Sequence, residues 1–290
     1  MRRLSPAPLM FLLFVTAARA ADPYTSSGFL EFPSEVELGA VSAVAVDADD
    51  HVYVLHRGEP PLVAFDAEHK YLRGWGSGML KVPRGLRVDG EGNIWTTDNG
   101  NHVLRKFNRE GRLLATLGTE GKAGGEQAGF RAPDDLVFDS QGNMYIADSG
   151  NGRIVKLDAE GRFVSQWGKK GKLPGEFATA HGLAIDGADR IYVADRGNKR
   201  IQVFDSAGKH LADWTGFGNP FGLIAVGDRL IASEGDIDKL FLFDREGKIV
   251  ASWGDSESLM LPHLMALDSA GRLYVTEVDG KRVQVFEPAK

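Results

Sequence analysis

Six charged or imidazole side chains recur at comparable places in short segments of this chain, and they are the residues with which it could do chemistry. His181 lies in AHGLAID (Ala180–Asp186) and His263 in LPHLMALD (Leu261–Asp268). Each histidine opens a short apolar run, so both belong at the start of equivalent strands. A neutral imidazole offers a metal ligand or a proton acceptor near neutral pH. Arg84, in PRGLRVD, and Asp134, in PDDLVFD, hold the same place in two other segments. A carboxylate can ligate a metal, whereas a guanidinium binds anions and cannot. Arg57 in LHRG and Arg196 in ADRG follow a different strand and add fixed positive charge. The set could hold a metal ion on His181, His263 and Asp134, or an anion on Arg57, Arg84, Asp134 and Arg196, with Asp134 orienting a guanidinium.

What positions these residues is an internal repeat. Six stretches align without a gap: VYVLHRGEPPLVAFD from Val52, IWTTDNGNHVLRKFN from Ile94, MYIADSGNGRIVKLD from Met144, IYVADRGNKRIQVFD from Ile191, LIASEGDIDKLFLFD from Leu230 and LYVTEVDGKRVQVFE from Leu273. Their starts are 42, 50, 47, 39 and 43 residues apart, the period of propeller blades rather than of helical solenoids. Each repeat reads as four short strands rich in Val, Ile, Leu, Phe and Tyr. Asp-x-x-Gly turns such as Asp158–Gly161 and Asp244–Gly247 separate the last two strands, with glycine where positive φ is needed. Trp75, Trp167, Trp214 and Trp253 recur near the fourth strand and are expected to pack blade against blade. The fold class is therefore all-β, a six-bladed β-propeller. The sixth repeat stops after three strands, and Gly28–Pro33 is expected to supply the fourth and close the ring.

In such a ring, equivalent positions face one another. The residues before the innermost strands are Ser42, Arg84, Asp134, His181, Phe221 and His263. A second ring follows the second strands: His56, Asp98, Asp148, Asp195, Glu234 and Glu277. The recurring acid there is expected to cap a loop by accepting backbone N–H bonds. His56 breaks the pattern.

The first twenty residues read as a secretory leader: Arg2-Arg3, an apolar run over Pro8–Ala17, then Ala18-Arg19-Ala20 as a cleavage site. The run is too short to span a membrane. Residues 21–290 are expected to form one propeller, periplasmic or secreted and monomeric. The sequence has no cysteine, so packing alone must hold it. Removing the leader leaves 31 basic and 40 acidic residues, a formal charge of −9. That balance argues against nucleic acid or anionic lipid as a partner.

The motifs LHRG (Leu55–Gly58), VPRGLRVDGEGNIWTTD (Val82–Asp98), SQWG (Ser165–Gly168), AHGLAID, ADRGNKRIQVF (Ala194–Phe204) and LPHLMALD give the chain a family likeness. It resembles NHL-repeat propellers and, among them, the peptidyl-α-hydroxyglycine α-amidating lyase domain. The resemblance implies cleavage of a peptidyl-α-hydroxyglycine to a peptide amide and glyoxylate, on a zinc ion held by three histidines from alternate blades. It implies that His181 and His263 are zinc ligands and that Arg57 and Arg196 are catalytic arginines near the substrate. The third ligand position falls on Arg84, and the place of the family's tyrosine reads Asp148–Arg153, without one. The acid expected after the last histidine, tied to structural calcium, is Leu264. A cation in place of a ligand weakens zinc binding, and losing the tyrosine removes an acid/base group. The sequence thus leads to an exported propeller that binds a peptide or small anionic ligand at a positive mouth. The alternative is a lyase with an altered zinc site. A lactonase-like hydrolase would want several channel carboxylates, and the first ring has Asp134 alone.

Overall fold

Six four-stranded antiparallel sheets form, and in the first five the strands follow one another in chain order. The computed structural model describes residues 22–125, 127 and 129–289; the expected leader, residues 1–20, lies outside them. Blade 1 comprises Val41–Val46, Val52–His56, Leu62–Phe65 and Tyr71–Trp75. The innermost strands of blades 2 to 6 are Pro83–Val88, Pro133–Phe138, Ala180–Ile185, Pro220–Val226 and Pro262–Leu267. The second strands are buried along almost their whole length, as in Met144–Asp148 and Ile191–Asp195. The fourth strands alternate between exposed and half-buried residues, as at Phe163–Trp167, because one face meets solvent.

Turn chemistry explains the repetition. Between the first and second strands of blade 3, the Asp139 carboxylate accepts the backbone N–H of Gln141 (3.0 Å) and Asn143 (2.8 Å), and the Tyr145 hydroxyl donates to it (3.1 Å). Asp47, Asp89, Asp186 and Asp268 do the same with Tyr53, Trp95, Tyr192 and Tyr274. One side chain thus closes the turn and locks an aromatic of the following strand.

The tryptophans pack as expected, each with a ring of the following blade. Trp75 lies edge-on to Phe107, Trp214 stacks on Phe243, and Trp167 sits against Phe204. Gly208, in the turn of the next blade, has φ +84°, and a Cβ there would lie 2.7 Å from the Trp167 ring.

The ring closes through the N-terminal strand, but four residues earlier than the sequence suggests. Tyr24–Phe29 pairs antiparallel with Arg282–Pro288, from Tyr24 opposite Pro288 to Phe29 opposite Gln284, with an irregularity between Ser26 and Gly28. The last strand runs on to Pro288 and so offers partners to residues before Gly28. Pro33, the other end of the expected segment, has no N–H to donate. Among the described residues no helix is long and apolar enough to cross a membrane.

Candidate functional site

The ring positions read from the sequence are the second residues of the innermost strands, not the residues just before them. In every blade the pairing with the second strand slips there: between Val41 and Ala43, Pro83 and Leu86, Pro133 and Leu136, Ala180 and Leu183, Pro220 and Leu223, and Pro262 and Met265. Such an irregularity turns a side chain out of the regular ladder, which aims this residue at the channel. The next position is kept small where strands crowd. A Cβ on Gly182 would lie 2.3 Å from the Phe221 carbonyl oxygen, and one on Gly222 would lie 2.1 Å from that of His263.

His181 and His263 come together. Their ring centroids are 4.9 Å apart at 77°, and both are buried, at 2% and 1% exposure. His181 Nδ1 lies 2.9 Å from the Phe221 carbonyl, and His263 Nδ1 lies 2.6 Å from the Ser42 carbonyl. A carbonyl can only accept, so each Nδ1 carries the proton and each Nε2 keeps its lone pair. Both Nε2 atoms are buried and have no hydrogen-bond partner among the described residues. Burial keeps the rings neutral. It pushes His181 down to about 4, with Asp134 opposing and Arg84 and Arg196 adding to the fall. His263 falls well below its ordinary value through burial, then the neighbouring His181 and Arg84.

Arg84 faces the same space. Its Nε lies 3.5 Å from Asp134 Oδ1, and Asn99 Nδ2 donates to that same oxygen at 2.8 Å. Asp134 therefore turns to Arg84 and Asn99. Arg57 stands exposed at the rim. Partial desolvation, then the like charge of Arg84, lowers the proton affinity of its guanidinium, against Asp134. Arg196 follows the second strand of blade 4 and lays its guanidinium 3.8 Å over the Phe221 ring, with Asp236 3.9 Å away. Phe221 packs edge-on to both histidines, so it joins the arginine and the imidazoles into one surface. Sequence reading placed Phe221 in the ring but gave it no part.

The second ring is structural. Asp98 accepts from the backbone of Lys81 and Val82, Asp195 from Ala178 and Thr179, Glu234 from Asn219 and Ile237, and Glu277 from Met260. Asp148 accepts from the Arg131 N–H and pairs with Arg153 at 2.7 Å; its partner is this arginine beside it in the blade. His56 does the acid's work with a nitrogen: Nδ1 accepts the N–H of Gly58 at 3.0 Å and of Gly39 at 3.3 Å. Its Nε2 is buried and has no hydrogen-bond partner among the described residues. Asp47, Asp49 and His51 also lie close enough to share a metal ion. Asp47 caps its turn, however, and Arg109 reaches Asp47 and Asp49 at 3.5 and 2.6 Å.

A zinc site of the catalytic kind needs three protein ligands and an open position. Two are well formed here, since a histidine ligand normally donates its other N–H to a carbonyl or carboxylate. The third place holds the Arg84 guanidinium, and the nearest carboxylate, Asp134, is already engaged by Arg84 and Asn99. The residues present do not make up a three-ligand zinc site. What the arrangement offers is two lone pairs that accept N–H or O–H, ringed by guanidinium groups that bind carboxylate.

Comparison with known proteins bears on ancestry. The NHL repeat model matches residues 80–107 and 177–204. NHL repeat-containing protein 3 of Mus musculus is 38% identical over 101 residues, which is 31% of this chain and 29% of that protein. Peptidyl-alpha-hydroxyglycine alpha-amidating lyase 1 of Drosophila melanogaster is 30% identical over 113 residues, 29% of this chain and 21% of that protein. These matches span less than a third of either relative. A streptogramin B lyase structure superposes with a TM-score of 0.70 at 12% identity, covering 92% of this chain and 98% of that one; at that identity the likeness speaks to fold alone. The chain is thus a six-bladed β-propeller that carries NHL repeats at two places and is similar over part of its sequence to the peptidyl-α-hydroxyglycine α-amidating lyases.

Proposed function

We propose that this chain is an exported binding propeller whose mouth takes a carboxylate-bearing ligand, such as a peptide C-terminus. The observation that supports it is the pair of buried Nε2 lone pairs on His181 and His263, set among Arg57, Arg84 and Arg196. A buried acceptor without a partner costs free energy, and a ligand N–H or O–H removes that cost. The terminal amide and carboxylate of a peptide supply donor and anion together. Both imidazoles are neutral at pH 7, so they serve as acceptors while the arginines provide the charge.

Calorimetry with N-acetylglycine and with its amide tests the reading. The acid is expected to bind and the amide to bind at least tenfold more weakly, with Arg57→Ala weakening the acid by a similar factor. Equal binding of acid and amide would overturn it. A second reading has an observation of its own, the two preset ligand histidines: a lyase with an altered metal site. Glyoxylate release from an N-acyl-α-hydroxyglycine, lost in His181→Ala, would favour that reading over simple binding. Export is tested by the mass of the mature protein, whose first residue should be Ala21.

A further inference from the structure

The other end of the channel is unlike the mouth. There the innermost strands carry half-buried Val46, Val88, Phe138, Ile185, Ala225 and Leu267, one from each blade, each four residues beyond the mouth position. Together they line a recess of about 280 Å³, near the lower end of small-molecule sites. One charged side chain reaches into it, Arg87. It stands at the fifth place of its strand, where the other blades have Ala45, Val137, Ala184, Ile224 and Ala266.

Arg87 is held from behind. Its Nη2 donates to Asp135 Oδ2 at 2.7 Å and to the Leu183 carbonyl at 3.1 Å, and its Nη1 donates to the Leu86 carbonyl at 3.1 Å. Asp135 is fully buried and also accepts the N–H of Leu136 and of Leu183. The guanidinium is thereby fixed across blades 2, 3 and 4. Those bonds use three of its five N–H groups, and the side chain keeps 16% of its surface exposed. Two donors on a fixed cation, at the floor of an apolar recess, match a carboxylate carried on a short hydrocarbon body. A neutral apolar ligand would leave those donors unmet, and a cation would bring no acceptor for them.

We propose that this recess is a second ligand site, for a small organic monocarboxylate with an apolar tail. It is separate from the mouth and does not depend on how the mouth is read. The probe is octanoate, titrated by calorimetry against the full chain, with octan-1-ol as the match without a carboxylate. Octanoate should bind saturably at one site, and the alcohol at least tenfold more weakly. Ala225→Trp, which fills the recess from a half-buried wall position, should abolish binding while thermal unfolding stays cooperative. Val88→Trp serves as the second blocking variant should the first not fold. Octanoate has no N–H for the mouth imidazoles to accept, so saturating N-acetylglycine, the probe for the mouth, should leave octanoate binding unchanged. Absence of saturable binding would overturn the proposal, as would equal affinity for the alcohol. Binding that survives a folded blocking variant, or that N-acetylglycine displaces, would place the carboxylate elsewhere and overturn it equally.

Discussion

The acids that end the second strands and the side chains that begin the first strands lie side by side, since Pro83 pairs with Asp98, Pro133 with Asp148, Ala180 with Asp195, Pro220 with Glu234 and Pro262 with Glu277. One ring is nearly uniform and the other has six places with five different residue types. The uniform ring is occupied with itself: its carboxylates hold loop N–H groups and neighbouring cations, so little is left for a ligand. The varied ring keeps unpaired acceptors and a guanidinium facing the channel. Repetition here marks what each blade needs in order to fold. Departure from repetition marks where the propeller becomes asymmetric.

The sharpest way to break that contrast is to remove an acid from the uniform ring. Asp195 is fully buried and holds Arg200 at 2.9 Å, Asn198 at 2.7 Å and two backbone N–H groups. Asp195→Ala leaves the buried Arg200 with Asp213 as its one remaining carboxylate partner and is expected to cost about 3 kcal/mol in urea unfolding. His181→Ala should cost far less, because it strands no charge. A comparable loss in both variants would dissolve the distinction between the rings.

Blade packing is the next test. Gly208→Ala combines a positive φ with a Cβ driven into Trp167, and about 2 kcal/mol should be lost. Gly216 has φ +93° with open space around it, so Gly216→Ala should lose only the backbone part, about 1 kcal/mol. Equal losses would mean that the tryptophan contact contributes nothing.

His56 tests whether a nitrogen does the acid's work. It is fully buried, and burial pushes it down to about 4. A histidine with a depressed folded value takes up its proton more readily when unfolded, so stability is lost as pH falls below about 6.5, until the folded ring also titrates near 4. At pH 5 the loss is about 2 kcal/mol relative to pH 7. His56→Asn keeps an acceptor for Gly39 and Gly58 but cannot titrate. Its unfolding midpoint should vary less between pH 7 and pH 5 than that of the unaltered protein. Identical pH profiles would show that His56 is not the group responsible.

A gain of metal affinity sharpens the varied ring. Arg84→His removes the fixed cation and supplies the third imidazole. Zinc affinity measured by competition with a chelator should rise at least tenfold, about 1.4 kcal/mol. No rise would mean that the second-blade position does not converge with His181 and His263.

Much of this was legible in the residues. The six repeats, the Asp-x-x-Gly turns and the packing tryptophans all depend on local chemistry that reads the same wherever it occurs. The pairing of His181 with His263 followed from counting blades. Arg87 and Asp135 carried a weak signal, a charge inside a strand that is otherwise apolar and a doubled acid after Pro133, and it was missed. The role of His56 could not be read, because an imidazole capping a loop and an imidazole in a site look alike until the neighbours of Nδ1 are known.

By itself the sequence determined the strand order, the blade count and which six positions of the innermost strands are equivalent, since period and turn chemistry leave a propeller little choice. Only the tertiary structure decided which nitrogen of each histidine is free, that Asp134 turns to Arg84 and Asn99, and that Arg87 reaches into the recess at the far end of the channel. Those outcomes depend on carbonyls and carboxylates brought in from other blades, such as Phe221 and Ser42 beside the two histidines. Contacts across 40 and 221 residues exist only once the ring has closed.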